Sequence, residues 1–251
     1  MQFLESLFRW IHVVAGILWI GLLYFFNWVN SAFAPTMDAD TRKKVVPELM
    51  PRALYWFRWG AAFTWVTGVL LLILVYYHTG LLFEGGSGSW GLSTLISLAV
   101  VFLGVFAYDA LYKGPLSNPQ AQFWGGLVLA IVVVAILEYF GGFSYRGVAI
   151  HLGATFGTIM AFNVWFRIWP AQQKIIRAIK NGETPDPQLA SLAGTRSKHN
   201  TYMSVPLVFM MVSQHATWAA SWPIVWLPLV VLAGWAVVYH IYDRASKVPG
   251  F

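Results

Sequence analysis

The sequence contains no cysteine and few charged residues. Without cysteine, these 251 residues form no disulfide, iron–sulfur cluster or thiolate metal site, and they lack the C-x-x-C-H motif that attaches c-type haem. Charged residues make up 10% of the chain, whereas soluble domains carry about 25%. Hydrophobic residues make up 58% and fall in long runs. This composition predicts an integral membrane protein.

Long apolar runs predict the number of membrane helices. A helix needs about 20 mostly apolar residues to cross a bilayer. Runs of this length occur at 5–30, 54–79, 91–113, 120–140, 145–170, 200–219 and 222–243. We therefore expect an all-α bundle of about seven transmembrane helices, forming a single membrane domain over residues 1–251.

Lysine and arginine are concentrated in alternate connections between these runs. Only Arg9 and Arg146 fall on the opposite side from the others. Because cytoplasmic loops are enriched in Lys and Arg, this pattern places the N-terminus outside and the C-terminus in the cytoplasm, in a bacterial inner membrane. The basic segment 171–199 is predicted to be a cytoplasmic helical hairpin, with Gly182 ending its first helix. We interpret the net charge of +6 as a topology signal rather than as a nucleic-acid-binding surface.

Three histidines lie inside apolar runs, near the predicted outer end of their helices: His12, His151 and His215. Ionisable groups at such positions are costly and usually mark function. Neutral imidazole ligates haem iron and other transition metals. We predict that at least two of these three histidines are metal ligands and that the metal is haem iron. His78 and His199 lie nearer helix ends, where an interfacial role is the more usual one, and they are weaker candidates for the same site.

Two kinds of neighbouring residue favour haem. Gly16 follows His12 by four residues and leaves clearance for a flat macrocycle, although small residues at this spacing also serve plain helix packing. Arg9 and Arg146 each precede a histidine by three to five residues and are placed to meet haem propionates, or to anchor the helices at the interface. We expect one or two b-type haems near the outer face.

The first and fifth predicted helices share a short internal repeat. Each has "IH" near its outer end, in "WIHVVAG" and "AIHLGAT". Each has "FN" near its inner end, in "FFNWVN" and "AFNVWF", and a proline follows both. The repeat suggests a duplicated helix pair.

Several longer stretches resemble a known family. "WIHVVAGILWIGLLYFFNWVN", "GTIMAFNVWFRIWPAQQKII" and "RSKHNTYMSVPLVFMMVSQH" are similar to the membrane part of the bacterial cytochrome-c-linked urate oxidases, also described as membrane urate hydroxylases. The resemblance extends along essentially the whole sequence. It implies a multi-helix membrane domain that works with a c-type cytochrome and oxidises urate, passing the electrons to the respiratory chain. It directs attention to His12, His151, His199 and His215.

The family resemblance also implies an electron outlet that this sequence does not contain. Since the 251 residues include no C-x-x-C-H motif, the electrons would leave to a separate c-type cytochrome or to a larger respiratory or photosynthetic complex. The alternative is a non-catalytic structural or assembly subunit of a membrane electron-transfer complex. A transporter is disfavoured because the later helices lack the charged mid-membrane residues of ion-coupled carriers.

Overall fold

A computed structural model describes residues 2–79, 91–114, 116, 118–220 and 222–249, and this part of the chain is helical without a β-strand. Its α-helices are α1 (Gln2–Tyr24), α2 (Ser31–Phe33), α3 (Ala39–Leu71), α4 (Leu92–Lys113), α5 (Pro119–Tyr139), α6 (Tyr145–Asn163), α7 (Trp169–Asn181), α8 (Pro187–Ser213) and α9 (Trp226–Ala245). Three π-helical segments continue α1, α3 and α6, at Phe25–Asn30, Leu72–Tyr77 and Val164–Ile168. Short 3₁₀ turns occupy Ala34–Thr36 and Thr217–Ala220.

Length and composition make six helices of the described chain able to cross a membrane. They are Gln2–Thr36, Ala39–Tyr77, Leu92–Lys113, Pro119–Tyr139, Tyr145–Asn181 and Trp226–Ala245. Helices are favoured in a bilayer because they satisfy every backbone hydrogen bond internally. The prediction of an all-helical membrane protein is confirmed.

Several of these helices are longer than a bilayer requires. The 37 residues of Tyr145–Asn181 span about 55 Å at 1.5 Å per residue, whereas the hydrocarbon core is about 30 Å thick. In the most apolar stretch of this helix 83% of the residues are buried, against 17% for Gln2–Thr36. Protein therefore covers most of the apolar stretch of Tyr145–Asn181, whereas most of that of Gln2–Thr36 is not buried by the described residues.

Helix α3 begins well before the predicted span at 54. Asp38 caps its first turn, because Oδ1 accepts a 2.9 Å hydrogen bond from the backbone N–H of Thr41 and Oδ2 accepts a 2.7 Å bond from the Thr41 hydroxyl. These bonds hold the pKa of the Asp38 carboxyl below its usual value. The basic segment after Asp38, which contains Lys43, is therefore helical rather than a loop.

The two arms of the basic segment 171–199 meet at a defined turn. Gly182 has φ +77°, the left-handed conformation that glycine adopts readily, and it ends α7. Asp186 accepts a 2.8 Å hydrogen bond from the backbone N–H of Gln188, and α8 begins at Pro187. Helix α8 then runs without interruption to Ser213, six residues short of the end predicted for the sixth span.

The chain divides into two compact units. The first unit contains residues 1–8, 68–159 and 203–236. The second unit contains residues 9–67, 160–202 and 237–251. Each unit holds one of the polar centres that follow.

Candidate functional site

His151 forms the polar centre of the first unit. It lies on α6 and its side chain is fully buried. Its Nδ1 lies 2.7 Å from the carbonyl oxygen of Gly147. Since a carbonyl only accepts, Nδ1 carries the proton and Nε2 holds a lone pair. The hydroxyl of Tyr77 lies 2.6 Å from Nε2 and donates to it.

Aromatic rings enclose the same imidazole. Phe143 stacks on it with ring centroids 4.6 Å apart, and Tyr77 meets it edge-on at 5.5 Å. Both ring nitrogens of His151 are therefore used inside the protein. In this arrangement Nε2 accepts from Tyr77 and has no lone pair left for iron, so the geometry at His151 does not fit a haem ligand.

His12 has the same tautomer in a different setting, within the second unit. Its Nδ1 donates to the carbonyl oxygen of Thr64 at 2.9 Å, and the Thr67 hydroxyl lies 3.2 Å away. Within the described part of the chain, Nε2 of His12 makes no hydrogen bond. A histidine that ligates metal usually anchors its other ring nitrogen in this way. The donor set at His12 therefore fits one axial haem ligand.

Close packing of α1 against α3 holds His12 in place. A Cβ atom on Gly60 would lie 3.2 Å from the backbone nitrogen of Trp19 and 3.3 Å from the carbonyl oxygen of Ala15. A Cβ atom added at Gly16 would lie 3.8 Å from the Cγ2 atom of Thr64. Gly16, predicted to leave clearance for a macrocycle, lies here against a neighbouring helix.

The other predicted residues of the first unit are near the ends of helices. His78 follows the π-helical segment Leu72–Tyr77 and is exposed. His215 is also exposed, in the turn after α8 rather than inside it. Arg146 donates from Nη2 to the carbonyl oxygen of Ala216 at 3.0 Å, which ties α6 to that turn. No hydrogen bond joins any two of His78, His151 and His215.

The remaining predicted residues, Arg9 and His199, belong to the second unit. Both side chains are half-buried, Arg9 on α1 and His199 on α8. Among the described residues, no group of three or more His, Asp or Glu side chains is arranged to hold a metal ion. A haem needs only one or two ligands from the protein, so this finding does not test haem binding.

A second polar centre was not predicted from the sequence as a site. We call it the amide cluster, and its residues are Asn27, Asn163, Ser197, Asn200 and Tyr242. Asn27 donates to the Ser197 hydroxyl at 2.7 Å and accepts from the Tyr242 hydroxyl at 2.9 Å. Asn163 donates to Oδ1 of Asn200 at 2.9 Å. Asn163 and Asn200 are fully buried.

The internal repeat is the sequence signal that marks the amide cluster. Asn27 and Asn163 are the asparagines of the two "FN" pairs. Asn27 lies within the π-helical segment Phe25–Asn30, and Asn163 immediately precedes Val164–Ile168. Tyr77, which hydrogen-bonds to His151, ends the remaining π-helical segment, Leu72–Tyr77. Such segments are rare and frequently occur at functional sites.

The fold and these centres define a helical membrane domain with buried polar groups on several of its helices. The sequence profile of the family described as urate oxidase N-terminal matches residues 39–248. The chain therefore belongs to the urate oxidase N-terminal family, which confirms the resemblance. Searches of curated proteins and of solved structures gave no match.

The segment matched by the family profile contains some of the predicted site residues and not others. His78, Arg146, His151, His199 and His215 lie within residues 39–248. Helix α1, with Arg9, His12 and Gly16, precedes the matched segment. The family match therefore includes most of the amide cluster, whereas the interpretation of His12 rests on its own geometry.

Proposed function

We propose that this chain is the membrane-embedded redox part of a urate-oxidising system in a bacterial inner membrane. Membership of the urate oxidase N-terminal family supports urate as the reductant. We further propose that a b-type haem binds at His12, and that electrons leave to a separate c-type cytochrome or to a larger respiratory or photosynthetic complex.

The observation that carries the redox proposal is the geometry of His12. Hydrogen bonds from Nδ1 to Thr64 and Thr67 fix the ring and its tautomer, and they leave the Nε2 lone pair for iron. Arg9 lies one helical turn before His12 on α1, so both side chains are on similar faces of the helix. We assign Arg9 to a haem propionate. When bound, a b-type haem supplies reversible one-electron transfer.

His151 has a different role in this proposal. Its Nε2 accepts a hydrogen bond from the Tyr77 hydroxyl, and its Nδ1 donates one to the carbonyl oxygen of Gly147. We assign it to holding α6 and the segment Leu72–Tyr77 together within the first unit. A second ligand at His151 requires Tyr77 to turn away from the ring.

A visible spectrum of the purified protein tests haem binding at His12. We expect a reduced-minus-oxidised b-type band in the wild type and its loss in His12→Ala. His78→Ala is the matched control, because His78 is exposed at a helix end, and it should keep the band. Absence of any band after expression with added haem precursor would contradict the proposal.

We also propose seven spans, with the N-terminus outside and the C-terminus in the cytoplasm. The span that we add to the six is the apolar part of α8 after Asn200. It is short because α8 ends at Ser213. The natural sequence has no cysteine, so single cysteines introduced by substitution report topology without background. We expect an impermeant thiol reagent, added to intact cells, to label Gln2→Cys but not Lys180→Cys or Ser246→Cys. Labelling of Ser246→Cys from outside would contradict this topology.

A structural or assembly subunit is the second candidate function. The observation that favours it is the bonding of His151. Both of its ring nitrogens bond to groups of the same chain, as those of an ordinary buried polar side chain do. In that case the purified protein shows no haem band and no response to urate, while removal of the chain lowers the assembly of its electron-transfer complex.

A further inference from the structure

Arg58 lies in an aromatic cage in the second unit. Its guanidinium carbon is 4.0 Å from the ring centroid of Trp169, 5.5 Å from that of Tyr55 and 5.8 Å from that of Trp165. Trp165 also donates from Nε1 to the backbone carbonyl of Arg58 at 3.1 Å, which fixes one wall of the cage. Attraction between the cation and the ring faces holds the guanidinium in this position.

No acidic side chain balances the charge of Arg58 within the described part of the chain. Other cations have such partners: Arg52 pairs with Glu48 at 2.7 Å, and Lys113 pairs with Asp109 at 2.8 Å. Nε of Arg58 is buried and has no hydrogen-bond acceptor. A guanidinium stacked on rings keeps its N–H edge available, and that edge matches the oxygens of a phosphate.

The position of Arg58 along α3 places it at the level of lipid headgroups. Arg58 and Tyr77 belong to one apolar helix, Ala39–Tyr77, and about 29 Å of helix separates them at 1.5 Å per residue. This length equals the thickness of a hydrocarbon core, about 30 Å. When one end of the span lies at one interface, Arg58 lies at the other. Tryptophans such as Trp165 and Trp169 are typical of that level.

An apolar groove of about 630 Å³ lies beside the cage, between α1 and α3. Its lining includes Trp10, Val14, Leu18, Tyr55, Trp59 and Phe63. Tyr55 belongs to both the groove and the cage, so the two adjoin at this ring. From Tyr55 the groove follows α3 to Phe63, in the direction of Tyr77 and away from the interface. Trp10 and Phe63 are 69% and 54% exposed, which leaves the groove open to the bilayer.

We propose that Arg58 and this groove form a binding site for one anionic phospholipid. The phosphate lies on the N–H edge of Arg58, and an acyl chain lies in the groove. A free anion matches the cage but not the groove, and a neutral hydrocarbon matches the groove but not the cage. An amphiphile with an anionic head satisfies both, and the bilayer supplies it.

Thermal unfolding of the detergent-solubilised full chain tests this site. Phosphatidylglycerol should raise the midpoint temperature more than phosphatidylcholine of the same chain length does. Arg58→Gln should raise the concentration of phosphatidylglycerol needed for half saturation by about tenfold, because charge-assisted hydrogen bonds are lost. Arg52→Gln is the matched control, because Arg52 is exposed and already paired with Glu48, and it should respond like the wild type.

Two further arms identify the ligand. Inorganic phosphate and urate at the same concentrations should give no comparable shift, because neither fills the groove. Arg58→Lys keeps the charge but loses the planar stacking, and we expect a response between those of the wild type and Arg58→Gln. Equal stabilisation of the wild type by the two lipids would overturn the proposal. An equal shift from phosphate or urate would overturn the assignment to a lipid.

Discussion

The Tyr77 hydroxyl donates a 2.6 Å hydrogen bond to Nε2 of His151, and both side chains are buried. The two residues lie 74 positions apart in the sequence. This bond decides the state of the imidazole, because it occupies the nitrogen that a metal would use. One of the three histidines that the sequence places inside apolar runs is therefore hydrogen-bonded at both ring nitrogens within the protein.

Tyr77→Phe removes that hydroxyl and leaves Nε2 of His151 buried without a donor. An unsatisfied buried polar atom costs about 1–3 kcal/mol. We expect the free energy of unfolding to fall by this amount, measured by thermal or denaturant unfolding in detergent. Tyr139→Phe is the control, since Tyr139 is 81% exposed, and it should change little. A Tyr77→Phe protein as stable as the wild type would show that the bond does not support the fold.

Gly60→Ala tests the close packing that holds His12. The new Cβ atom would press on the backbone of α1 at Trp19 and Ala15, where neither atom can turn aside. Overpacking of this kind costs about 1–3 kcal/mol. The matched control is Gly21→Ala, where nothing lies within 4 Å of the added atom, so it should be neutral or slightly stabilising. Unfolding of the two variants in detergent compares them directly, and equal effects would contradict the packing.

The Asn163–Asn200 pair of the amide cluster is suited to a double-mutant cycle. Asn200→Leu removes the 2.9 Å acceptor of the Asn163 amide and strands it in the interior. We expect each single leucine substitution to destabilise the protein by about 1–3 kcal/mol. The double variant should lose less than the sum, with a coupling energy of about 0.5–3 kcal/mol for residues in contact. Strict additivity in unfolding measurements would mean that the two amides do not depend on each other.

The sequence predicts the membrane helices well because their signal is local. Apolar runs place α4, α5 and α9 close to the observed bounds. It predicts the ends of two helices less well. Helix α3 begins at Ala39, because Asp38 caps a polar segment that hydropathy does not detect. Helix α8 stops at Ser213, although the apolar residues continue beyond it.

The candidate site is predictable only in part, for a related reason. Positions of His12, Asn27 and Asn163 can be read from the repeat, since each lies at a regular place in an apolar run. Their partners cannot, because Thr64, Ser197 and Asn200 reach them through packing between helices distant in the sequence. The π-helical segments also escape a sequence pattern based on the ordinary helical period.

Urate-driven reduction is the measurement that tests the proposed function most directly. Urate is added without oxygen to the purified, haem-containing protein, and the visible spectrum is followed. We predict that the b-type band appears in the wild type and in His78→Ala, and that His12→Ala shows none. A band that dithionite produces but urate does not would contradict urate oxidation by this chain.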